Sequence, residues 1–208
     1  MYLQQKPRNL GRPRHDQSTK PTKSIILETA TTLFLLNGYK IVSMDDVAKS
    51  CNVTKATIYY YYSTKADLYT DCMIEMMVRI SDNIKKVLEN DQPLKIRLYQ
   101  LIQIHLSATA DLNLNNFMRD AKINLSSEQQ EQMKRSEEKM HEAIEHVLLK
   151  AMEKGEIPHH DGKFATQLFL ALMNVGNYRD TNGHAIFPSA DEMAQHIVDF
   201  FWKGLTMP

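Results

Sequence analysis

Five side chains that could move a proton or hold a metal ion lie close together in the chain: Glu137, Glu138, His141, Glu142 and Glu145. Helical bundles that bind two metal ions need paired Glu and Glu-x-x-His elements on separate helices, and that pairing is absent here. Lys134, Arg135 and Lys139 alternate with the acids at helical spacing, which predicts a solvated face with ion pairs. We expect no catalytic residues, and a helical-bundle enzyme remains the less favoured alternative.

Cysteine and histidine spacing gives no metal or disulfide signature. Cys51 and Cys72 lie in separate segments without a C-x-x-C motif, so both are expected to be reduced thiols. His159 and His160 follow Pro158, but adjacent side chains diverge and make a poor ligand pair. The sequence therefore predicts neither a metal nor a cofactor.

The composition is that of a folded protein, with 43% apolar residues. No apolar run reaches the length of about 18 residues that a membrane span needs, and the polar start lacks the apolar region of a secretory signal. We expect a cytoplasmic protein without membrane contact.

Charge is distributed unevenly along the chain although the formal net charge is zero. Residues 1–65 carry ten Lys and Arg against four Asp and Glu, a net charge of +6, and the remainder carries −6. A basic module attracts polyanions such as DNA, and an acidic body restricts binding to one face. From charge alone, chance clustering on solvated faces stays open.

Helix signals in the first third of the chain predict a helix-turn-helix. Apolar residues at helical spacing indicate a first helix from about Thr22 to Asn37 that ends at Gly38. Ser43 and Asp46 form a capping box for a second helix, and Thr54 caps a third. Asn52, in the short turn between them, can adopt the left-handed conformation. Two helices joined by so short a turn are typical of this motif.

Further helical patterns follow, and no segment has a strand pattern. Thr64 and Asp67 cap a long helix to about Glu89. We expect further helices at about 93–112, 115–124, 126–154, 163–179 and 189–205. The fold class is all-α: a flexible basic arm (1–21), a three-helix helix-turn-helix domain (22–66) and a helical bundle behind it (67–208).

Residues 22–72 closely resemble the DNA-binding domain of the tetracycline-repressor (TetR) family. The resemblance lies in Leu33 to Tyr39, Ser43 to Ala48, Val53 to Tyr62 and Lys65 to Tyr69, whose order, spacing and helix lengths agree together. Beyond residue 72, only the number and length of the helices are similar. Three residues depart from the family pattern: Asn52 and Ala56 replace glycine, and Tyr62 replaces phenylalanine.

The resemblance implies a set of DNA contacts. Thr54, Lys55 and Thr57 would read base edges in the major groove, while Tyr59 and Tyr60 would contact phosphate or a thymine methyl group. Ser43 and Lys65, at helix starts, would bind phosphate. Arg12 and Arg14 of the arm would follow or enter the minor groove. Tyr61 and Tyr62 are expected to pack against the first and fourth helices, with the Tyr62 hydroxyl reaching the surface.

The resemblance also implies a homodimer formed through the last two helices. Its apolar surface would comprise Phe164, Leu168, Ala171, Leu172, Val175, Ile197, Phe200, Phe201 and Leu205. A two-fold dimer would place its recognition helices one DNA turn apart on a palindromic operator.

The resemblance further implies that residues 67–208, called here the body, form a ligand-binding and dimerisation domain. Its ligand would be a small, lipophilic effector, bound by adaptable apolar side chains. Its candidate lining is Met76, Ile104, His105, Phe117, Met140, Ile144 and Met173. The same residues are also typical of an ordinary core. Two functions follow as alternatives: a repressor of transcription released by this effector, or a DNA-binding adaptor or nucleoid-type protein without one.

Overall fold

The computed structural model describes residues 20–109 and 125–206, and the regular structure within these ranges is entirely helical. The eight helices are α1 (Thr22–Asn37), α2 (Met44–Ser50), α3 (Lys55–Tyr61), α4 (Lys65–Leu88), α5 (Leu94–Thr109), α6 (Ser127–Glu153), α7 (Gly162–Val175) and α8 (Ala190–Thr206). The all-α prediction is confirmed. The expected helix at 115–124 lies outside the described residues, as do Arg12, Arg14 and Phe117.

The predicted caps form at the starts of α2, α3 and α4. Ser43 and Asp46 close a capping box on α2, and the Thr54 side chain accepts from the backbone N–H of Thr57 at the start of α3. Asn52, with φ of 53°, is in the left-handed region. These local bonds fix where each helix begins, and they set the angle at which α3 leaves the turn.

The amino-terminal helices share one core, called here the head core, whose centre is aromatic. The rings of Phe34 and Tyr39 both meet the edge of Tyr69, at centroid distances of 5.1 and 5.0 Å. The first half of α4 lies in this core, and so do Leu125, just before α6, and Met133, in the second turn of α6. The head core thus includes side chains far along the chain from the helix-turn-helix.

A second core, called here the body core, is formed by the end of α4 with α5, α6, α7 and α8. It is mainly aliphatic, with Phe169 of α7 against Phe201 of α8 at 5.0 Å. Asp191 accepts hydrogen bonds from Tyr99 and Gln103, which joins the start of α8 to α5. With 24 residues, α4 is about 36 Å long and enters both cores.

The end of α7 differs from the prediction. The helix stops at Val175 rather than Arg179, because three tighter bonds, each from N–H to the carbonyl three residues earlier, close it at residues 176–178. Gly176 lets α5 approach closely there: a Cβ would lie 2.1 Å from Cδ2 of Leu106 and would displace that side chain. The Asp161 side chain, overlooked in the sequence, caps the start of α7 by accepting from the N–H of Phe164.

Candidate nucleic-acid interface

The recognition helix α3 buries Ile58 completely, leaves Thr57 half-buried and exposes its other side chains. Ile58 is fully buried under the turn, whereas Tyr60 is 81% exposed and Tyr59 46% exposed. Thr54, Lys55 and Ala56 are also exposed. One buried anchor holds the helix in place. Of the predicted base-reading residues, Thr54 and Lys55 lie on the outside, where they are accessible to a groove, and Thr57 is half-buried beside them.

The two threonines of α3 form a pair. The Thr54 and Thr57 hydroxyl oxygens are 2.8 Å apart, and Thr54 Oγ1 also accepts from the Thr57 N–H at 3.1 Å. Thr54 is therefore engaged in the cap. Thr57 keeps hydrogen-bonding capacity, because a hydroxyl has one donor and two acceptor sites.

The Lys55 ammonium forms an exposed ion pair. Its Nζ is 2.9 Å from the Asp45 carboxylate of α2, and this contact raises the pKa of Lys55. The pair is well solvated, so little is lost when it opens. Lys55 is therefore free to exchange Asp45 for an anion of higher charge density.

Lys65 is held inside the fold rather than extended into solvent. Its Nζ donates to the Val42 carbonyl at 2.8 Å and lies 4.4 Å from the centre of the Tyr39 ring. Burial lowers the pKa of this ammonium. Sequence reasoning found the residue but missed this role, since Val42 is 23 positions away. Lys65 ties the start of α4 to the loop that leads into α2.

Ser43 is exposed, but its hydroxyl is already engaged. It donates to Asp46 Oδ2 at 2.6 Å, and this bond lowers the pKa of the Asp46 carboxyl. Asp45 and Asp46 together place negative charge in the first turn of α2, whereas the first turn of α3 has no acidic residue. The start of α3 is thus the more favourable site for an anion.

Two of the four tyrosines differ from expectation. Tyr62 packs in the head core as predicted, but its hydroxyl is buried and does not reach the surface, and burial raises the pKa of the phenol. Tyr61 was expected to pack against α1 and α4, and this is wrong: it is 37% exposed and meets the ring of Tyr60 at 5.0 Å. Its position one residue before Tyr62 turns it away from the core.

The predicted dimer surface divides into two groups. Phe164 and Phe200 are 68% and 71% exposed, and Leu168, Ala171 and Val175 are exposed beside them, with Leu172 half-buried. Ile197, Phe201 and Leu205 are buried in the body core of the same chain, so for these three the expected partner contact is wrong. Apolar residues lie on two faces of α8, and only one of them is open.

The candidate effector residues do not share one environment. Ile144 and Met173 are buried, Met76 and Met140 are half-buried, and Ile104 is 50% exposed. A cavity of about 900 Å³ lies elsewhere, at the turn between α4 and α5, where Arg97, Lys150 and Trp202 are among its lining residues.

His105 stands apart from the other candidates because it is polar. Its Nε2 atom is buried without a hydrogen-bond partner in the described part of the chain. Burial lowers the pKa of the ring.

Metal and membrane signatures are missing from the described helices and loops. No group of three or more His, Cys, Asp or Glu side chains within 20–109 and 125–206 could hold a metal ion. In the same ranges, no helix is both long enough and apolar enough to span a bilayer.

The helix-turn-helix region of the chain matches a known protein family. Residues 26–72 match the family model of the bacterial regulatory proteins of the tetR family. The head of the chain is thus similar to that of the tetR-family regulators. The match covers α2, α3, the turn between them and parts of α1 and α4, which are the elements that position the surface described above.

Curated relatives match the chain over part of its length. The chain is 29% identical over 118 residues to YhgD of Bacillus subtilis, described as an uncharacterized HTH-type transcriptional regulator, and this spans 55% of the chain and 62% of the relative. It is 43% identical over 47 residues to IcaR of Staphylococcus epidermidis, the negative transcriptional regulator of a biofilm operon. That match spans 23% of the chain and 25% of IcaR.

Solved structures extend the similarity of fold to the body. A TetR/AcrR-family regulator from Thermobifida fusca superposes with a TM-score of 0.64 at 25% identity, over 88% of this chain and 97% of the other. FadR of Bacillus subtilis, solved in complex with stearoyl-CoA, gives 0.70 at 18% identity, over 88% and 98%. The chain therefore has the fold of tetR-family regulators, with a helix-turn-helix followed by a helical domain.

Proposed function

We propose that the protein is a transcriptional repressor that binds a palindromic operator as a homodimer in the cytoplasm and is released by a small lipophilic effector. The observation that carries this proposal is the outer face of α3, where hydroxyl, ammonium and phenol groups are exposed around one buried anchor. The net charge of +6 on residues 1–65 supports attraction to DNA.

The exposed residues of α3 differ in the part of the DNA that each is proposed to contact. Lys55 and Thr57 are the base readers, because each has hydrogen-bonding capacity in the first turn of α3. Tyr59 and Tyr60 contact phosphate or thymine methyl groups from the exposed flank. Thr54 serves mainly to hold Thr57 in place.

The phosphate contacts are placed at helix starts and in the arm. Lys65 contributes its charge and its one remaining donor at the start of α4, since its other two donors bond the Val42 and Lys40 carbonyls. Ser43 makes a weaker contact because Asp46 already uses its hydroxyl. Arg12 and Arg14 reach the minor groove.

The homodimer is formed by the open apolar face of α7 and α8. Phe164 and Phe200 are too large and too exposed to be typical of a free surface, and Leu168 and Val175 extend the same patch along α7. A second copy is the partner that we propose, with two-fold symmetry. This arrangement sets the two α3 helices about 34 Å apart, the distance of one DNA turn.

Repression and an effector are inferred from similar proteins. IcaR is named as a negative regulator, and the structural neighbour FadR was solved with stearoyl-CoA. We propose an effector of comparable apolar character. A thermal-shift screen with fatty acyl-CoA compounds of increasing chain length tests this, and stabilisation by none of them would favour the adaptor without an effector.

Selection of bound fragments from sheared genomic DNA tests DNA binding, followed by affinity measurement on the recovered duplex. We expect a palindromic motif occupied by two chains. Thr57→Val removes the hydroxyl and keeps the shape of the side chain, so it should recover a motif changed at one position in each half-site. Recovery of an unchanged motif by this variant would rule out base readout by Thr57.

A further inference from the structure

The first turns of α6 are part of the head, although they begin more than sixty residues after α3. Leu125 is 8% exposed and Met133 7% exposed, and both pack in the head core together with Met73 and Met77 of α4. The end of the same helix lies in the body core. A shift of α6 therefore cannot leave the head unaffected.

A hydrogen bond joins the caps of two helices at this point. Gln129 Nε2 donates to Asp67 Oδ1 at 2.9 Å. The other polar atom of each side chain closes its own capping box: Gln129 Oε1 accepts from the Ser126 N–H at 3.0 Å, and Asp67 Oδ2 accepts from the Thr64 N–H at 3.1 Å. The start of α6 is thus bonded directly to the start of α4.

The start of α4 is in turn fixed to the end of α3. Only three residues separate Tyr61, the last of α3, from Lys65, the first of α4. Within this short link, Tyr62 is buried and its N–H donates to the Ile58 carbonyl at 3.0 Å. With so little free chain, the orientation of α3 follows the position of the Thr64 cap.

We propose that Gln129 is a positioning residue for the recognition helix, which rests on the proposed function as a DNA-binding regulator. Its bond to Asp67 holds the α4 cap, and through it α3, in the orientation that binds DNA. Because such a bond is lost when the atoms separate by about 1 Å, a small movement of α6 in the body releases the head. This route crosses directly from α6 to α4 and does not run along the length of α4.

Gln129→Glu tests the bridge without removing the α6 cap. Glutamate at this position still accepts from the Ser126 N–H, but it loses the donor and sets a second carboxylate against Asp67. Gln132→Glu is the matched control, since it adds the same charge to an exposed position of the same helix. The double variant Asp67→Asn/Gln129→Glu exchanges donor and acceptor and restores the bond at the wild-type net charge.

Two readouts are measured for each variant: affinity for the duplex recovered by genomic selection, and hydrogen exchange of the α3 amides. We expect Gln129→Glu to weaken binding about five- to tenfold relative to Gln132→Glu and to speed exchange in α3, with recovery of both in the double variant. Urea unfolding is measured in parallel, so that a loss of affinity in a variant that is still fully folded is assigned to positioning and not to general stability.

The inference is overturned if Gln129→Glu matches Gln132→Glu in both affinity and exchange, or if the double variant fails to recover. Failure of the wild-type protein to bind any duplex would instead refute the proposed function. The exchange measurement needs no DNA, so it still decides whether Gln129 holds α3 in place.

Discussion

The two cores that α4 joins differ in how their working parts are positioned. In the head, three caps built from residues three positions apart, at Ser43, Thr54 and Thr64, set the start of each helix behind the exposed face of α3. In the body, contacts such as Tyr99 with Asp191 join residues more than ninety positions apart. The start of each head helix after α1 thus depends on local sequence, whereas the shape of the body depends on how whole helices pack.

Adjacent phenylalanines of α8 give the largest expected effect. Phe201→Ala should lower the free energy of unfolding by about 3–5 kcal/mol, because Phe201 is buried against Phe169.

Phe200→Asp should instead remove self-association and the dependence of the unfolding midpoint on protein concentration, because Phe200 is 71% exposed. Urea unfolding at several protein concentrations measures both. A variant Phe200→Asp that remains dimeric would refute the proposed dimer face.

Within the head, Lys55 is expected to act in DNA binding and Lys65 mainly in stabilising the fold. Lys65→Ala should lower the free energy of unfolding by about 1–2 kcal/mol, through lost bonds to the Val42 carbonyl and the Tyr39 ring. It should also flatten the salt dependence of DNA binding by about one unit of slope if Lys65 contacts phosphate.

Lys55→Ala is the matched variant, and it should leave stability unchanged while weakening binding to the selected duplex about tenfold. Equal stability of the two variants would contradict the structural role of Lys65. An unchanged salt slope for Lys65→Ala would contradict its contact with phosphate.

Removing a helix cap should cost a similar unfolding free energy in the head and in the body, but only the loss in the head should weaken DNA binding. Thr64→Ala in the head and Asp161→Ala in the body should each cost about 1 kcal/mol of unfolding free energy, because each side chain accepts from a helix N–H. Thr64→Ala should also weaken DNA binding, whereas Asp161→Ala should not. Comparable loss of DNA affinity in both variants would show that the head is no more sensitive to its caps than the body.

The smallest effect concerns pH and the body. Burial lowers the pKa of His105 in the folded chain, so the unfolded chain takes up a proton first as pH falls. The stability that depends on neutral His105 is complete above the unfolded pKa of about 6.5 and declines below it. His105→Phe and His105→Asn should both reduce the difference in unfolding free energy between pH of about 7.5 and about 5.5. An unchanged difference in both variants would exclude His105 as its source.

Sequence reasoning succeeded where the deciding contacts are local. The capping boxes at Ser43 and Thr64 and the left-handed Asn52 could be predicted, because each depends on residues within four positions. The bonds from Lys65 to Val42 and from Gln129 to Asp67 join residues 23 and 62 positions apart, and no spacing rule anticipates them. Such contacts appear only once the helices are packed.

The second limit of sequence-based prediction was a helix with apolar residues on two faces, because the sequence does not show which face points outward. Ile197, Phe200 and Phe201 all fit an apolar pattern along α8, but only packing decides that Phe200 faces outward. The candidate effector residues had the same ambiguity between core and cavity, and Ile104 and Ile144 differ sharply in exposure. The structure of the head was therefore easier to predict than the packing of the body.

The central claim is that two copies of the chain bind one DNA duplex through exposed, charged recognition helices. The most direct test is to titrate the selected duplex with the protein at several salt concentrations while recording the mass of the complex. The account predicts two chains per duplex and a logarithm of affinity that falls linearly with the logarithm of salt concentration. A single bound chain, or binding that does not depend on salt, would contradict it.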